Sequence, residues 1–283
     1  AGHAPGERRR WGASTSRRAV GCSEGAPAER LASWKARWDA KCTSWHLTDI
    51  NPNLQRHLDV LLPKSSQPVG LGGLGYRVLV PLCGKSVDMT FLSRSGYRVV
   101  GVDGAAQAVQ EFAAEHSATG ASIGVAMPPE VPADKFKMHA LMPICDADAG
   151  AIMPQPVMLL EGDFLALGPK EAAALVPFDA AFDRGGLVAV EPQDRAHYLQ
   201  VLSDLIAPGG RVLLVVVEHD PFANGTLGPP HEITENEVKT LCGNRFEVKL
   251  LHREDRLALE EGMRERGVTR FHEVAYLLTR RAA

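Results

Sequence analysis

The stretch RVLVPLCGKS, residues 77–86, decides the fold class because it joins a short apolar strand to a tight turn. Valine and leucine in a run this short are typical of a strand buried on both faces. The ending Gly-Lys-Ser invites a phosphate-binding loop, but that loop needs a second glycine five positions before Gly84. Leu79 stands there, inside the strand. A dinucleotide fingerprint needs three glycines and finds only Gly84, so neither phosphate motif is present.

The next strand, RVVGVD at residues 98–103, ends in Asp103, nineteen residues after Gly84. In open α/β sheets ligands bind at the carboxyl ends of the strands. A carboxylate there can accept hydrogen bonds from both hydroxyls of a ribose. A single glycine turn and one acid, without a phosphate-binding motif, are suited to a nucleoside that lacks phosphates, such as S-adenosylmethionine. From the residues alone, the less favoured alternative is that Asp103 is a surface cap of the following helix.

The rest of the chain continues the alternation of strands and helices, which predicts an α/β fold with a mostly parallel sheet covered on both faces. The two last strands, FEVKLLHRED and FHEVAYLLTRR, are joined too closely for a crossover helix, which predicts an antiparallel edge. Helices are predicted at residues 31–41, 53–62, 87–95, 105–116 and 194–207, and PGG at 208–210 is predicted as a turn. Residues 118–156 are predicted to be an insertion that carries a hairpin.

Composition excludes several classes of function. The chain has 283 residues, 45% of them hydrophobic, and a formal net charge of −3, which gives no reason to expect nucleic acid as a partner. No apolar run reaches the roughly 18 residues of a membrane helix. The five cysteines include no CxxC pair, so we expect no metal site and a reducing compartment, the cytoplasm.

Residues 1–30 differ from the rest, being rich in Ala, Gly, Ser and Arg without apolar periodicity. They are expected to be a disordered leader or an organelle transit peptide. The domain is expected to span residues 31–283.

Several further motifs carry a resemblance to a known family. WKARWDAKCTSWH, RVLVPLCGKSVDM, YRVVGVD, FDRGGLVAV, DPFANGTLGPP and YLLTRR occur in the order and spacing of the thiopurine S-methyltransferase family. The resemblance runs from about Trp34 to Arg280. It implies a Rossmann-like class I methyltransferase with a seven-stranded sheet, and S-adenosyl-L-methionine as cofactor.

The resemblance also implies which residues bind that cofactor. Trp34 and Trp38 would form a lid over it, although two tryptophans one helical turn apart are more often plain core. Asp103 replaces the family's usual glutamate, and Asp163 stands where the family has an apolar residue. The full set of implied cofactor-binding residues is Trp34, Trp38, Leu82, Gly84, Asp103, Gly162, Asp163, Phe164 and Arg184.

A second implied set faces the methyl acceptor. Asp183 and Arg184 are the implied catalytic residues, since they follow a strand in the motif DRGG. Trp45, in place of the family's phenylalanine, together with Pro229 and Pro230, would bind the acceptor.

Two departures alter this acceptor pocket. Gly262 stands where the family has a basic residue, with Arg264 two positions later. His231 and Glu232 replace aromatic residues.

The predicted activity is transfer of a methyl group to a thiol of the thiopurine or aromatic type. The predicted partner is a small-molecule thiol or anionic acceptor, with no membrane and a monomeric chain. Two alternatives stay open: a methyltransferase for halide or small inorganic chalcogen anions, and a homologue that binds the cofactor without catalysis. The departures at Gly262, His231 and Glu232 leave room for the second.

Overall fold

The computed structural model describes residues 27–63, 75–144, 154–175 and 177–282, with the side chains of residues 27–30 excepted. The strands are β1 (Arg77–Pro81), β2 (Arg98–Asp103), β3 (Ile123–Val125), β4 (Lys137–Leu141), β5 (Val157–Glu161), β6 (Phe178–Arg184), β7 (Ile206–His219), β8 (Phe246–Asp255) and β9 (Phe271–Arg280). The helices are α1 (Pro27–Asp39), α2 (Pro52–Leu61), α3 (Asp88–Arg94), α4 (Ala106–His116), α5 (Pro169–Ala174), α6 (Arg195–Leu205), α7 (Glu235–Cys242) and α8 (Glu261–Glu265).

The strands form one sheet in the order β3-β4-β5-β2-β1-β6-β7-β9-β8. The five strands from β5 to β7 run parallel, and β9 pairs antiparallel with both β7 and β8. These seven strands confirm the predicted parallel sheet with its antiparallel edge. The sequence order reverses on either side of β1, whose neighbours are β2 and β6. A crevice therefore opens at the carboxyl end of β1, where α/β proteins bind their ligands.

Two further strands come from the insertion at residues 118–156. β3 and β4 form an antiparallel hairpin, and β4 pairs antiparallel with β5 at the edge of the sheet. The hairpin foreseen in the sequence is thus present and extends the sheet from seven strands to nine. Residues 145–153 of the insertion lie outside the described residues.

The ends of several elements differ from prediction. α1 begins at Pro27, so the last four residues of the expected leader belong to the helix, while residues 1–26 lie outside the described part. The Pro-Gly-Gly predicted as a turn lies within β7, where Gly209 has φ +77° and the pairing with β6 shifts register. A short α8 occupies the charged segment between the last two strands.

Burial explains why these segments form their strands. Four of the five β1 residues and the four central residues of β2 are buried, and each face of the sheet is covered by its own apolar cluster. Each buried valine or leucine contributes about 1.5–3 kcal/mol to folding. The polar side chains Asp103 and Arg184 lie at the ends of β2 and β6, and Leu82 follows the end of β1 at the same edge of the sheet.

Candidate active site

The turn after β1 forms the floor of the crevice. Leu82 and Gly84 have left-handed backbone angles, φ +46° and +52°. A Cβ on Gly84 would lie 2.2 Å from Nε2 of His46, so a side chain is excluded there by space as well as by backbone angle. The Gly84 amide donates to Oδ2 of Asp103 at 2.8 Å. The structure thus brings together Leu82, Gly84 and Asp103, as the sequence predicts.

The Asp103 carboxylate also holds the start of α4. Its Oδ1 accepts from the Ala105 amide at 2.8 Å, and the Asp103 carbonyl accepts from the Gly162 amide at 2.9 Å. Burial raises the carboxyl pKa, while the bonds from Ala105 and Gly84 lower it.

This arrangement fits the ribose of S-adenosylmethionine. A carboxylate offers about four acceptor positions, and two backbone amides fill one on each oxygen. Each oxygen of Asp103 keeps a position for a ribose hydroxyl.

Three tryptophans form a wall above this turn. Trp34 and Trp45 meet edge to face with ring centroids 5.4 Å apart, and Trp38 and Trp45 at 6.2 Å. Trp38 is 3% exposed and packs on Ala105 and Ala108, which follow Asp103 closely in the chain. These contacts are those of a core residue. The cofactor and acceptor roles of these tryptophans stay predictions.

His46 connects this wall to the turn. Its Nε2 accepts from the Lys85 amide at 3.0 Å, and its Nδ1 lies 3.2 Å from the Thr43 carbonyl. These two bonds require the neutral ring with a proton on Nδ1. The pKa of His46 is lowered to about 4, mainly by burial and further by the positive charges of Lys85 and Arg184. The hydrogen bond to the Thr43 carbonyl acts in the opposite direction and raises the pKa. A neutral ring therefore ties the aromatic wall to the first turn at physiological pH.

The Lys-Ser that suggested a phosphate loop has structural contacts instead. The Lys85 ammonium pairs with Glu111 at 2.9 Å and Glu115 at 2.6 Å on α4. Ser86 donates to Asp88 at 2.8 Å at the start of α3. Neither side chain points to a phosphate site.

Cys83, between the two turn residues, is 6% exposed, and burial raises its thiol pKa well above the ordinary value. A thiolate is disfavoured there, so the residue is a poor nucleophile.

Arg184 lies at the carboxyl end of β6, partly buried. Its Nη1 donates to the Trp45 carbonyl at 2.7 Å, which joins β6 to the tryptophan wall. No carboxylate of the described residues forms an ion pair with it. Only one of its five N–H donors has a hydrogen-bond partner among the described residues.

Asp183 faces the opposite way, into the interior. It is fully buried, and its oxygens accept from the Gly186 and Leu187 amides and from the Tyr198 hydroxyl at 2.8 Å. Burial raises its pKa to about 6 against the lowering effect of these bonds. The predicted catalytic role of Asp183 is not tested by these contacts, but they are those of a residue that holds the turn beside Arg184.

The remaining predicted residues are spread around the same edge. Gly162 lies beside Asp103, and Asp163 accepts from the Leu165 amide at 3.0 Å. Phe164 is 3% exposed and its ring packs on Tyr198, so its contact with the cofactor stays a prediction. The Pro229 carbonyl accepts from Arg266 at 3.2 Å, and the Pro230 carbonyl lies 3.1 Å from His219 Nε2.

Sequence reasoning missed two functional contacts. Tyr198, in the middle of α6, gave no signal, because its partner Asp183 is reached only through tertiary packing. His46 follows Trp45 directly, and that adjacency was a usable signal, but its bond to Lys85 crosses 39 positions.

Two further findings concern metal binding and membrane-spanning helices. No group of three or more His, Cys, Asp or Glu side chains in the described ranges could hold a metal ion. No helix in that part of the chain is long and apolar enough to cross a membrane.

Comparison with known proteins agrees with this geometry. The family described as thiopurine S-methyltransferase matches residues 29–281. A thiopurine S-methyltransferase of Pseudomonas fluorescens is 33% identical over 88% of this chain and 98% of its own length, and one of Azotobacter vinelandii is 34% identical over the same shares. A Burkholderia thailandensis 1,6-didemethyltoxoflavin-N1-methyltransferase, crystallised with its substrate and S-adenosylhomocysteine, superposes with a TM-score of 0.53 at 18% identity, covering 93% of this chain and 94% of its own.

Proposed function

Because the chain belongs to the thiopurine S-methyltransferase family, whose members methylate from S-adenosylmethionine, we propose that it methylates the sulfur of an ionised aromatic thiol. The cofactor supplies the methyl group: the acceptor sulfur forms a bond to the methyl carbon while the carbon–sulfonium bond breaks and its electron pair stays on S-adenosylhomocysteine. The protein's part is to hold acceptor and methyl group in line and to keep water out.

One observation carries the choice of an anionic acceptor. Arg184 lies at the crevice without an ion pair among the described residues, its side chain held by the Trp45 carbonyl. A fixed guanidinium with free donors suits a negatively charged group. We assign to Arg184 the orientation of the thiolate, and to Trp45 the apolar surface against which an aromatic ring rests.

The neighbouring histidine and carboxylate are already hydrogen-bonded, which favours an acceptor that binds in its ionised form. Both nitrogens of His46 are engaged, and its pKa is lowered to about 4, chiefly by burial. The Asp183 carboxylate is surrounded by three donors. Aromatic thiols ionise near neutral pH and need no strong general base, unlike alcohols or amines.

The proposed role of the tryptophan wall is to exclude water. Trp34, Trp38 and Trp45 lie above Gly84 and Asp103, and α1 places Leu31 against Gly104. A positive sulfonium loses its charge in the transfer, so a dry site favours the transition state over the ground state. Asp103 would fix the nucleoside, and Leu82 would contact its methionine side.

A screen with isotope-labelled cofactor tests the proposal against its alternatives. Purified protein is assayed with thiophenol, sulfide, selenide and iodide, with headspace analysis for volatile products. We expect turnover on thiophenol to exceed that on the small anions. Methyl iodide or methanethiol as the main product would favour the halide or chalcogen enzyme. Cofactor binding without product from any acceptor would favour the non-catalytic homologue.

A variant pair connects the activity to the site. Arg184→Met should lower kcat on thiophenol about 100-fold, as expected for loss of a charge-assisted contact to the reacting anion, and leave S-adenosylhomocysteine affinity within a few-fold. Arg264→Met is the matched control, because Arg264 donates to the Leu257 and Ala258 carbonyls on the exposed surface. Equal turnover in the two variants would remove Arg184 from the mechanism.

A further inference from the structure

His219 is the last residue of β7, and its ring contacts both ends of the loop that follows. Its Nδ1 lies 2.7 Å from the Asp220 carbonyl oxygen, and its Nε2 lies 3.1 Å from the Pro230 carbonyl oxygen. The residue is only 2% exposed, so both contacts are shielded from bulk water. A single buried ring therefore joins the first and last residues of the loop 220–230.

Two carbonyl oxygens that face one imidazole ring require two N–H donors. A neutral histidine carries one N–H, and its other nitrogen would point a lone pair at a carbonyl oxygen. The imidazolium donates from both nitrogens. The geometry at His219 thus matches the protonated ring, in contrast to His46, whose Nε2 accepts from an amide.

Two aromatic rings pack on the same imidazole. The centroid of the Phe222 ring lies 4.7 Å from that of His219, and the Phe271 ring is stacked on it at 6.2 Å. An aromatic face attracts a cation within about 6 Å, a condition that Phe222 meets. Both phenylalanines are buried in one small apolar cluster. A protonated ring at this position therefore exchanges water for two carbonyl oxygens and an aromatic face.

Asp220 and Arg266 act in opposite directions on the charge of this imidazole. The Asp220 carboxylate accepts from the hydroxyl and the amide of Thr269, which lower its pKa to about 2, so it stays negative and favours the protonated ring. Arg266 brings a positive charge, with its guanidinium carbon 3.3 Å from the centre of the Phe222 ring. It also donates to the Pro229 carbonyl at 3.2 Å, which gives the end of the loop a second attachment.

Further charged groups on the packed strands are paired or face away. Glu218 of β7 pairs with Arg253 of β8 at 2.9 Å, and Arg270, just before β9, pairs with Glu232 at 2.9 Å. Alternation along β7 and β9 turns Glu218 and His272 to the opposite face of the sheet. The charge of the imidazole therefore depends mainly on contacts within the loop and at the end of α8.

The loop lies at the same edge of the sheet as Arg184. It follows β7, which runs parallel to β6, so both strands end at that edge. Directly after the loop, the His231 amide donates to the Val188 carbonyl at 2.8 Å, in the turn that follows Arg184. The middle of the loop, residues 223–227, is exposed. A change in how Pro230 is held is therefore passed on within one residue to the turn beside Arg184.

We propose that His219, in its imidazolium form, is a positioning residue that clamps the loop 220–230 against the site and thereby supports binding of the methyl acceptor. When the ring gives up a proton to solvent, one of the two carbonyls loses its N–H donor and the loop is held less tightly. Acceptor binding then weakens as the pH rises through the range in which histidine titrates, between about pH 5 and pH 8. The clamp stands on the geometry alone, and its role for the acceptor rests on the proposed thiol methylation.

The clamp is tested without an acceptor, in protein saturated with S-adenosylhomocysteine. NMR of 15N-labelled histidines from about pH 5.5 to about pH 8.5, with His219→Gln to assign the resonances, should show two protonated ring nitrogens at the acidic end and one at the alkaline end. Hydrogen exchange of the amides 222–228, corrected for its intrinsic pH dependence, should show about tenfold weaker protection at the alkaline end, as loss of one charged hydrogen bond predicts. Protonation of His46 lowers stability at acidic pH, so it cannot produce this difference.

Kinetics with thiophenol connect the clamp to the acceptor. The KM of His219→Gln should exceed that of wild-type protein about tenfold at about pH 5.5 and equal it at about pH 8.5, with kcat within a few-fold. The ratio taken at each pH cancels the ionisation of the thiol, which is the same for both proteins. His197→Gln is the matched control, because the His197 Nε2 lies 2.8 Å from one carbonyl, that of Leu165, and its KM should stay within twofold of wild type. Thermal melting of each variant checks folding.

The outcomes separate the clamp from the proposed function. A single protonated nitrogen on His219 at every pH, or equal protection of the loop at both ends of the range, overturns the clamp. A pH-dependent clamp with a KM ratio that does not change with pH overturns the positioning role, while the proposed function stands. If no thiol is methylated, the proposed function fails. Calorimetric titration of thiophenol into protein saturated with S-adenosylhomocysteine then decides the positioning role, and equal affinities of wild type and His219→Gln at acidic pH refute it.

Discussion

Acidification from pH 7 to pH 5 should lower the free energy of unfolding through the protonation of His46. This ring is neutral in the folded state because its Nε2 accepts from the Lys85 amide and burial disfavours a charge. Its pKa is lowered from 6.5 to about 4. As pH falls below 6.5, the unfolded chain takes up a proton that the folded chain refuses, so stability is lost through this window and the loss levels off below pH 4.

The size of the effect follows from these two pKa values. At pH 7 the folded ring is deprotonated and the unfolded one about three-quarters deprotonated, so the loss is only about 0.2 kcal/mol. At pH 5 the unfolded histidine is almost fully protonated and the folded one is mainly neutral, which costs about 2 kcal/mol. The complete window, down to about pH 4, is worth on the order of 3 kcal/mol. His46 is partly buried, so solvent screening removes only part of this.

Urea denaturation of wild-type protein and His46→Gln at pH 7 and pH 5 measures the contribution. Glutamine keeps an acceptor oxygen for the Lys85 amide and does not titrate. Other groups titrate in both proteins, so they cancel when the pH-induced loss is compared between the two. We expect wild-type protein to lose about 2 kcal/mol more than the variant over this interval. Equal losses would show that His46 does not hold its ring neutral and would refute the proposed tie between the aromatic wall and the turn.

Three further changes test the site. Asp103→Ala should weaken S-adenosylhomocysteine binding at least tenfold in calorimetry and lower stability by about 2–4 kcal/mol, because the Gly84 and Ala105 amides lose their acceptor; normal affinity would contradict the ribose assignment. Tyr198→Phe should lower the free energy of unfolding by about 1–3 kcal/mol in urea denaturation, because the Asp183 carboxylate loses the Tyr198 hydroxyl. The variant should also have a lower kcat with unchanged cofactor affinity, since that hydroxyl supports the turn beside Arg184. An unchanged kcat would show that this turn is not needed for catalysis. Glu273 lies on β9, where its carboxylate accepts from the Asn53 side-chain amide at 2.7 Å and burial raises its pKa. Glu273→Gln should leave the pH dependence of kcat on thiophenol unchanged, because an ionised thiol needs no base. If the variant lost the fall of kcat at acidic pH, Glu273 would be identified as a general base.

The fold was accessible from the sequence because its signals are local. The buried strands are short continuous runs of valine and leucine, and the turns between them carry glycine or proline, so the fold class and the strand segments follow from pattern and resemblance. Two misplacements have physical reasons. Pro-Gly-Gly reads as a turn, yet the chain continues through it into β7 with a register shift. The start of α1 was placed too late because its first turn, Pro-Ala-Glu-Arg, contains no large apolar residue.

The sequence by itself determined that Gly84 and Asp103 share one edge, because parallel strands place their carboxyl ends together. Tertiary structure alone decided which polar groups are already satisfied. Asp183 and Arg184 are adjacent in the chain and look like a pair, but alternation along β6 sends one into the core to Tyr198 and the other to the crevice at Trp45. Spacing along a chain cannot reveal such contacts, because they form only when distant elements pack against each other.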